Sequence, residues 1–146
     1  MKKLFEDGHA VQRNHMRLIN NPGKTCYHSH FCIKTSKKFC VVFDCTARHL
    51  NVNLNDFLYK GPVVQNSLIG VLTHFRFYLH ALISAINKLY YQCVVDENDQ
   101  YFLRFLWFQD NDPSKPVVHC RMTRLSFGLL FVRSAVLYCL EINPFR

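Results

Sequence analysis

Glycine and proline are scarce in this chain of 146 residues, at five each. A collagen-like or linker protein needs far more of both and is excluded. Long hydrophobic runs are missing too. The longest uncharged apolar stretch near the C-terminus runs from Phe127 to Val132 and is cut by Arg133. A bilayer-spanning helix needs about 20 apolar residues, so no membrane partner is expected. Behind the basic start, Met1-Lys2-Lys3-Leu4, comes Phe5-Glu6-Asp7 rather than an apolar core. That predicts no secretory signal and an intracellular protein, cytoplasmic or nuclear alike. No two of the seven cysteines (26, 32, 40, 45, 93, 120 and 139) are spaced Cys-x-x-Cys. Their odd number and the absent signal point to reduced, mostly buried thiols. Acidic side chains are the last shortage: ten Asp and Glu face 18 Lys and Arg, a net charge of +8.

What is present argues for a folded domain. Hydrophobic residues make up 49% and aromatics 14%, too much for a disordered tail. A single domain of this size buries roughly 68–70% of its unfolded surface. Residues 1–25 are polar and mixed, and Asn20-Asn21-Pro22-Gly23 is a strong turn signal. Residues 39–44 are β-branched and aromatic and predict a buried strand. Asn53 opens a helical turn over 53–59, which Lys60-Gly61-Pro62 breaks. A helix starts at Asn66 or Ser67, with Leu68, Ile69, Leu72 and Phe75 at helical spacing, Leu79 extending the stripe and Arg76 facing away.

Residues 80–86 predict a short buried strand, 87–91 a single turn and 92–95 a further strand. After the polar turn Asp96-Glu97-Asn98-Asp99, residues 101–108 form a strand. Asp110-Asn111-Asp112-Pro113 turns the chain, and 117–125 returns as its hairpin partner. Residues 128–140 predict a buried helix, with Arg133 either a misplaced charge or a marker of an exposed face. Hairpin strands and separate helices make the fold class α+β, not a βαβ series.

Two features suggest chemistry. Cys26, His28, His30 and Cys32 alternate, so one strand face carries all four. Zinc accepts two Cys and two His. On a straight strand, however, the outer two stand roughly 20 Å apart, too far to close a tetrahedron. A semi-buried strand is expected, with no metal site. A thiol enzyme needs a base beside a Cys, and no spacing supplies one. Charge is the second feature. Residues 1–60 hold ten basic and four acidic side chains, residues 61–146 eight and six. Lys34, Lys37 and Lys38 form a patch suited to a phosphate backbone, or to plain solvation.

The order of segments from about Gly8 to Leu140 resembles the reverse transcriptase of BEL/Pao-type long-terminal-repeat retrotransposons. Tyr27-His28-Ser29-His30 with Ile33-Lys34 resembles that family's Tyr-x-Pro-His-His-x-Val-x-Lys entry to the fingers. Val41-Val42-Phe43-Asp44 is similar to its Arg-Val-Val-Phe-Asp strand. Leu54-Asn55-Asp56-Phe57-Leu58-Tyr59-Lys60-Gly61-Pro62 resembles Leu-Asn-Asp-x-Leu-x-x-Gly-Pro, with Gln65 and Phe75-Arg76 following in register. Lys88-Leu89-Tyr90-Tyr91-Gln92 resembles Lys-Met-Tyr-x-Gln, and Arg104-Phe105-Leu106-Trp107 resembles Arg-x-Leu-Trp. Phe127-Gly128 and Cys139-Leu140 are similar to Phe/Tyr-Gly and Arg-Cys-Leu.

The resemblance implies right-hand polymerase fingers plus the first half of a palm. Residues 1–25 would be an N-terminal polar segment and residues 26–146 the partial reverse transcriptase domain. It also implies nucleotide addition with two Mg²⁺ ions held by carboxylates. The first catalytic Asp would stand three residues before Lys88, and that position is Ala85. A methyl group binds no metal; the neighbouring Glu position is Asn87, and Ser84 is a poor replacement. The remaining two carboxylates belong to a Tyr-x-Asp-Asp hairpin, and no Asp-Asp pair occurs here. Cys40 stands where a fingers Arg contacts triphosphate. Tyr90 aligns with the aromatic steric gate, or is a core aromatic. Gly128 aligns with a glycine near the nucleotide pocket, but Ser-Ser-Pro-Phe is replaced by Phe131-Val132-Arg133-Ser134.

The expectation is a truncated, catalytically inactive reverse transcriptase fragment with no cofactor of its own. The alternative is a residual non-specific nucleic-acid-binding module that holds RNA or DNA weakly through Lys34, Lys37 and Lys38. No small-molecule substrate is expected. A half palm would also leave a sheet edge and an apolar helix face uncovered, and so would be poorly soluble.

Overall fold

A computed structural model describes residues 1–13, 25–36, 39–63 and 65–142. It is a mixed α+β fold, as the order of segments predicts, with few helices and two small antiparallel sheets. Helix α1 spans Lys2–Glu6 and strand β1 Ala10–Arg13. Strands β2 (Ser29–Lys34) and β3 (Phe39–Asp44) form a two-stranded sheet. A 3₁₀ turn at Leu54–Phe57 precedes helix α2 (Leu68–Phe77). Further 3₁₀ turns at Leu89–Gln92 and Asp99–Phe102 lead into β4 (Arg104–Phe108). Strand β5 (Val117–Met122) and helix α3 (Val132–Ile142) follow. The three-stranded sheet has the order β1-β5-β4.

The β4–β5 hairpin forms where the turn residues demand it. Asp110 and Asn111 adopt φ of 54° and 62°, a left-handed conformation that short polar side chains tolerate best. Asp112 Oδ1 then accepts from the Ser114 N–H at 2.9 Å. Leu54–Phe57 is equally local. Asn53 Oδ1 accepts from the Asp56 N–H while the Asp56 carboxylate accepts from the Asn53 N–H, both at 3.1 Å. This reciprocal cap satisfies two otherwise orphaned donors.

The core lies where the two sheets meet α3. Phe43 of β3 and Phe105 of β4 pack edge-to-face at 5.0 Å, and Met122, Leu125, Leu129, Val132 and Val136 close over them as one buried cluster. In α3, Val132 and Val136 point inward one turn apart while Arg133 is exposed. The charge therefore marks the solvent face, and the helix begins at 132 rather than 128.

Several expectations fail. Residues 80–86 form no strand and are exposed throughout. An isolated apolar run has no ladder partner for its backbone and no face to cover, so hydrophobicity alone cannot make it a strand. Residues 92–95 contribute one bridge, Val94 to Arg124, instead of a strand. Within 101–108 only Arg104–Phe108 is extended. Helix α2 forms with Ser67 before its first turn, but none of its residues is buried. Leu79 lies beyond its end and is 98% exposed. The sequence also hides β1, which reads as polar yet pairs with β5 and buries Ala10.

Candidate functional site

Three of the motif stretches converge on the loop before α3. The side-chain amide of Asn55 donates to the Gly128 carbonyl, and its oxygen accepts from the Leu130 N–H, both at 2.8 Å. One amide thus stands in for a strand partner and fixes the Phe127-Gly128 turn. Gly128 has φ +91°, and a Cβ there would meet the Cys45 Cβ at 3.3 Å. The buried Cys45 thiol donates to the Phe127 carbonyl at 3.2 Å. Gly61 has φ +73°, and a Cβ there would stand 2.9 Å from the Ser134 Cβ. The Ser134 hydroxyl donates to the Pro62 carbonyl at 2.8 Å. These contacts tie residues 55–62 to the turn and to α3.

The Lys88–Gln92 stretch docks from the other side. Tyr90 is half-buried and its ring stands edge-on to Phe127, centroids 4.3 Å apart. Tyr91 stacks on His9 at 4.6 Å. Lys88 pairs with Asp7 and, as its hydrogen-bond donor, holds that carboxyl below the usual range. The structure therefore brings Tyr90 and Gly128 to one place, although 38 residues separate them in the chain. Ala85 is not among them. It lies exposed in irregular backbone, as do Ser84 and Asn87.

Lys34 ends β2, exposed, with its ammonium 5.9 Å from the centre of the Phe39 ring. Lys37 and Lys38 lie outside the described residues. Cys40 is half-buried in β3.

The expected strand over Cys26, His28, His30 and Cys32 starts only at Ser29, so Cys26 and His28 lie before β2 and the four do not share one strand face. His28 is buried and its Nε2 hydrogen-bonds the Phe102 carbonyl at 2.8 Å; burial pulls its pKa down. His30 sits among Phe43, Phe105 and Trp107, at 5.5 to 5.8 Å. Cys32 is exposed. Among the described residues no three His, Cys, Asp or Glu are grouped to hold a metal. Burial pushes the thiols of Cys45 and Cys93 up to about 11 and that of Cys120 to about 12. A thiolate nucleophile at any of these is disfavoured at neutral pH. A cleft of about 860 Å³ opens between residues 25–28 and 45–57, lined by Cys26, His28, Cys45 and Phe57 among others. Among the described residues no helix is long and apolar enough to cross a membrane.

No protein-family model matches the chain, and no curated protein matches it. The bridging role of Asn55 was not legible beforehand, because its two partners lie more than 70 residues away. Arg104 is the one charge in its apolar strand and part of the Arg-x-Leu-Trp stretch, and nothing in the sequence singles out Arg121; the structure buries both.

Proposed function

We propose that the chain is a catalytically silent, reverse-transcriptase-like segment, a partial fingers and palm of BEL/Pao type. Support comes from the meeting of Tyr90 with Phe127-Gly128, since the resemblance assigns Tyr90 and Gly128 to a single nucleotide pocket. The decisive residue is Ala85. Hard cations such as Mg²⁺ take oxygen ligands, and a methyl group offers none. The residues present do not fit two divalent ions: Ala85 is exposed on irregular backbone, and no acidic group clusters near it among the described residues.

Primer extension on RNA and DNA templates with Mg²⁺ or Mn²⁺ tests the reading. No incorporation above a no-protein control is expected. Templated extension would overturn the assignment of silence.

A second reading, weak non-specific RNA or DNA binding, is favoured by Lys34 beside Phe39, a residue 70% exposed. A cation beside an open aromatic face suits a phosphate next to a stacked base. Binding of a fluorescent single strand should weaken steeply with salt and fall further in Phe39→Ala. A flat salt response removes this reading.

A further inference from the structure

We propose that Arg104 and Arg121 form a buried binding site for a phosphate dianion. The two residues are direct partners in the β4–β5 register, so their side chains leave the sheet on one face. They are only 2% and 6% exposed. Neither joins any ion pair among the described residues. Nε and Nη2 of Arg104 and Nε of Arg121 are shielded from solvent and have no hydrogen-bond partner among the described residues. A buried, unpaired cation is costly, and two side by side are worse.

What the chain supplies instead is aromatic. The Tyr101 ring lies 4.7 Å from the Arg104 guanidinium carbon and 5.5 Å from that of Arg121. Tyr27 lies 5.9 Å from Arg104. Cation–π contact stabilises the flat face of a guanidinium; it leaves the in-plane N–H bonds without acceptors. Nε–H and Nη2–H of an arginine leave along the same edge, and that edge is what takes two oxygens of one oxyanion. Arg121 Nε can serve a third oxygen. A dianion matches the two positive charges, whereas a carboxylate leaves one over. The backbone is fixed in advance: the Arg104 N–H donates to Cys26 and its carbonyl accepts from the His28 N–H, at 3.2 and 2.7 Å. Tyr27, 42% exposed and hydrogen-bonded to His119 Nδ1 at 2.7 Å, forms the solvent rim. None of Ala85, Tyr90 or Gly128 takes part, although Tyr27 and Arg104 lie in stretches that carry the resemblance.

Calorimetric titration of the whole chain with inorganic phosphate at constant ionic strength tests the site. Chloride and acetate serve as reference anions. Saturable binding of phosphate is expected, with a rise in Tm that neither reference anion produces. Arg104→Gln and Arg121→Gln should each weaken phosphate binding by about tenfold or more, because the charge-assisted fork is lost. Arg104→Lys keeps the charge and the stem but not the fork, and serves where a Gln variant fails to fold; the same loss is expected. Absence of saturable binding, or unchanged affinity in a folded variant, overturns the proposal. Glycerol phosphate identifies the source. Affinity similar to that of free phosphate assigns the site to the terminal group of a phosphate ester, and exclusion of the ester assigns it to the inorganic ion.

Discussion

The ring of Tyr90 stands edge-on to that of Phe127, joining the 3₁₀ turn after Lys88 to the turn before α3. Edge-to-face pairs contribute about 0.5–1.5 kcal/mol beyond the area they bury. A double-mutant cycle of Tyr90→Leu and Phe127→Leu in urea should give a coupling in that range. A coupling of zero would mean the two segments dock through other contacts.

Asn55 carries more of the same junction. Asn55→Ala leaves the Gly128 carbonyl and the Leu130 N–H without their partner, which costs about 1–3 kcal/mol if they are not rehydrated. Asn55→Asp keeps an acceptor for Leu130 and loses the donor to Gly128, so it should destabilise less. Chemical denaturation gives the ranking, and equal stability of all three proteins would remove the bridge from the account.

Gly61→Ala should destabilise by about 1–2 kcal/mol from backbone conformation alone, and by more through the Cβ that would press on Ser134. Ser134→Gly in the same chain relieves the second part only. Partial rescue by that pairing, read as a shift in Tm, is the expected result.

Stability should fall on mild acidification. His28, His9 and His30 are all held below the ordinary histidine value of 6.5, burial being the largest cause in each. The unfolded chain therefore takes up protons first. The contribution is complete above pH 6.5, shrinks as pH falls through it, and levels off below the folded pKa values. His28→Gln can still donate to Phe102 and should flatten the slope of unfolding free energy between pH 7 and 5. An unchanged slope would shift the effect to His9 and His30.

The apolar segment after α2 predicts solution behaviour. Leu79 and Leu82 are 98% and 95% exposed, so Leu79→Lys with Leu82→Lys should change Tm little. Removing exposed apolar surface should reduce aggregation and dye binding, both measurable by light scattering and fluorescence. A large fall in Tm would mean these side chains are covered in solution.

Signals confined to a few residues were readable in advance. Asn53 and Asp56 cap each other across one turn, Ser67 precedes α2, and Asp110-Asn111 bends the β4–β5 hairpin. Each depends on backbone groups within four or five positions. The apolar pattern also marked β3 and α3, and the side of α3 that carries Arg133 became clear only when Val132 and Val136 were buried.

The sequence by itself determined the α+β class, the β4–β5 hairpin and the turn that Asn53 opens. Those follow from local chemistry. Tertiary structure alone decided that Ala10 pairs with Met122, that Asn55 holds Gly128, that residues 80–86 stay uncovered, and that Arg104 and Arg121 share one buried face. Each of these depends on which distant segments meet, and neither side-chain periodicity nor turn propensity carries that information.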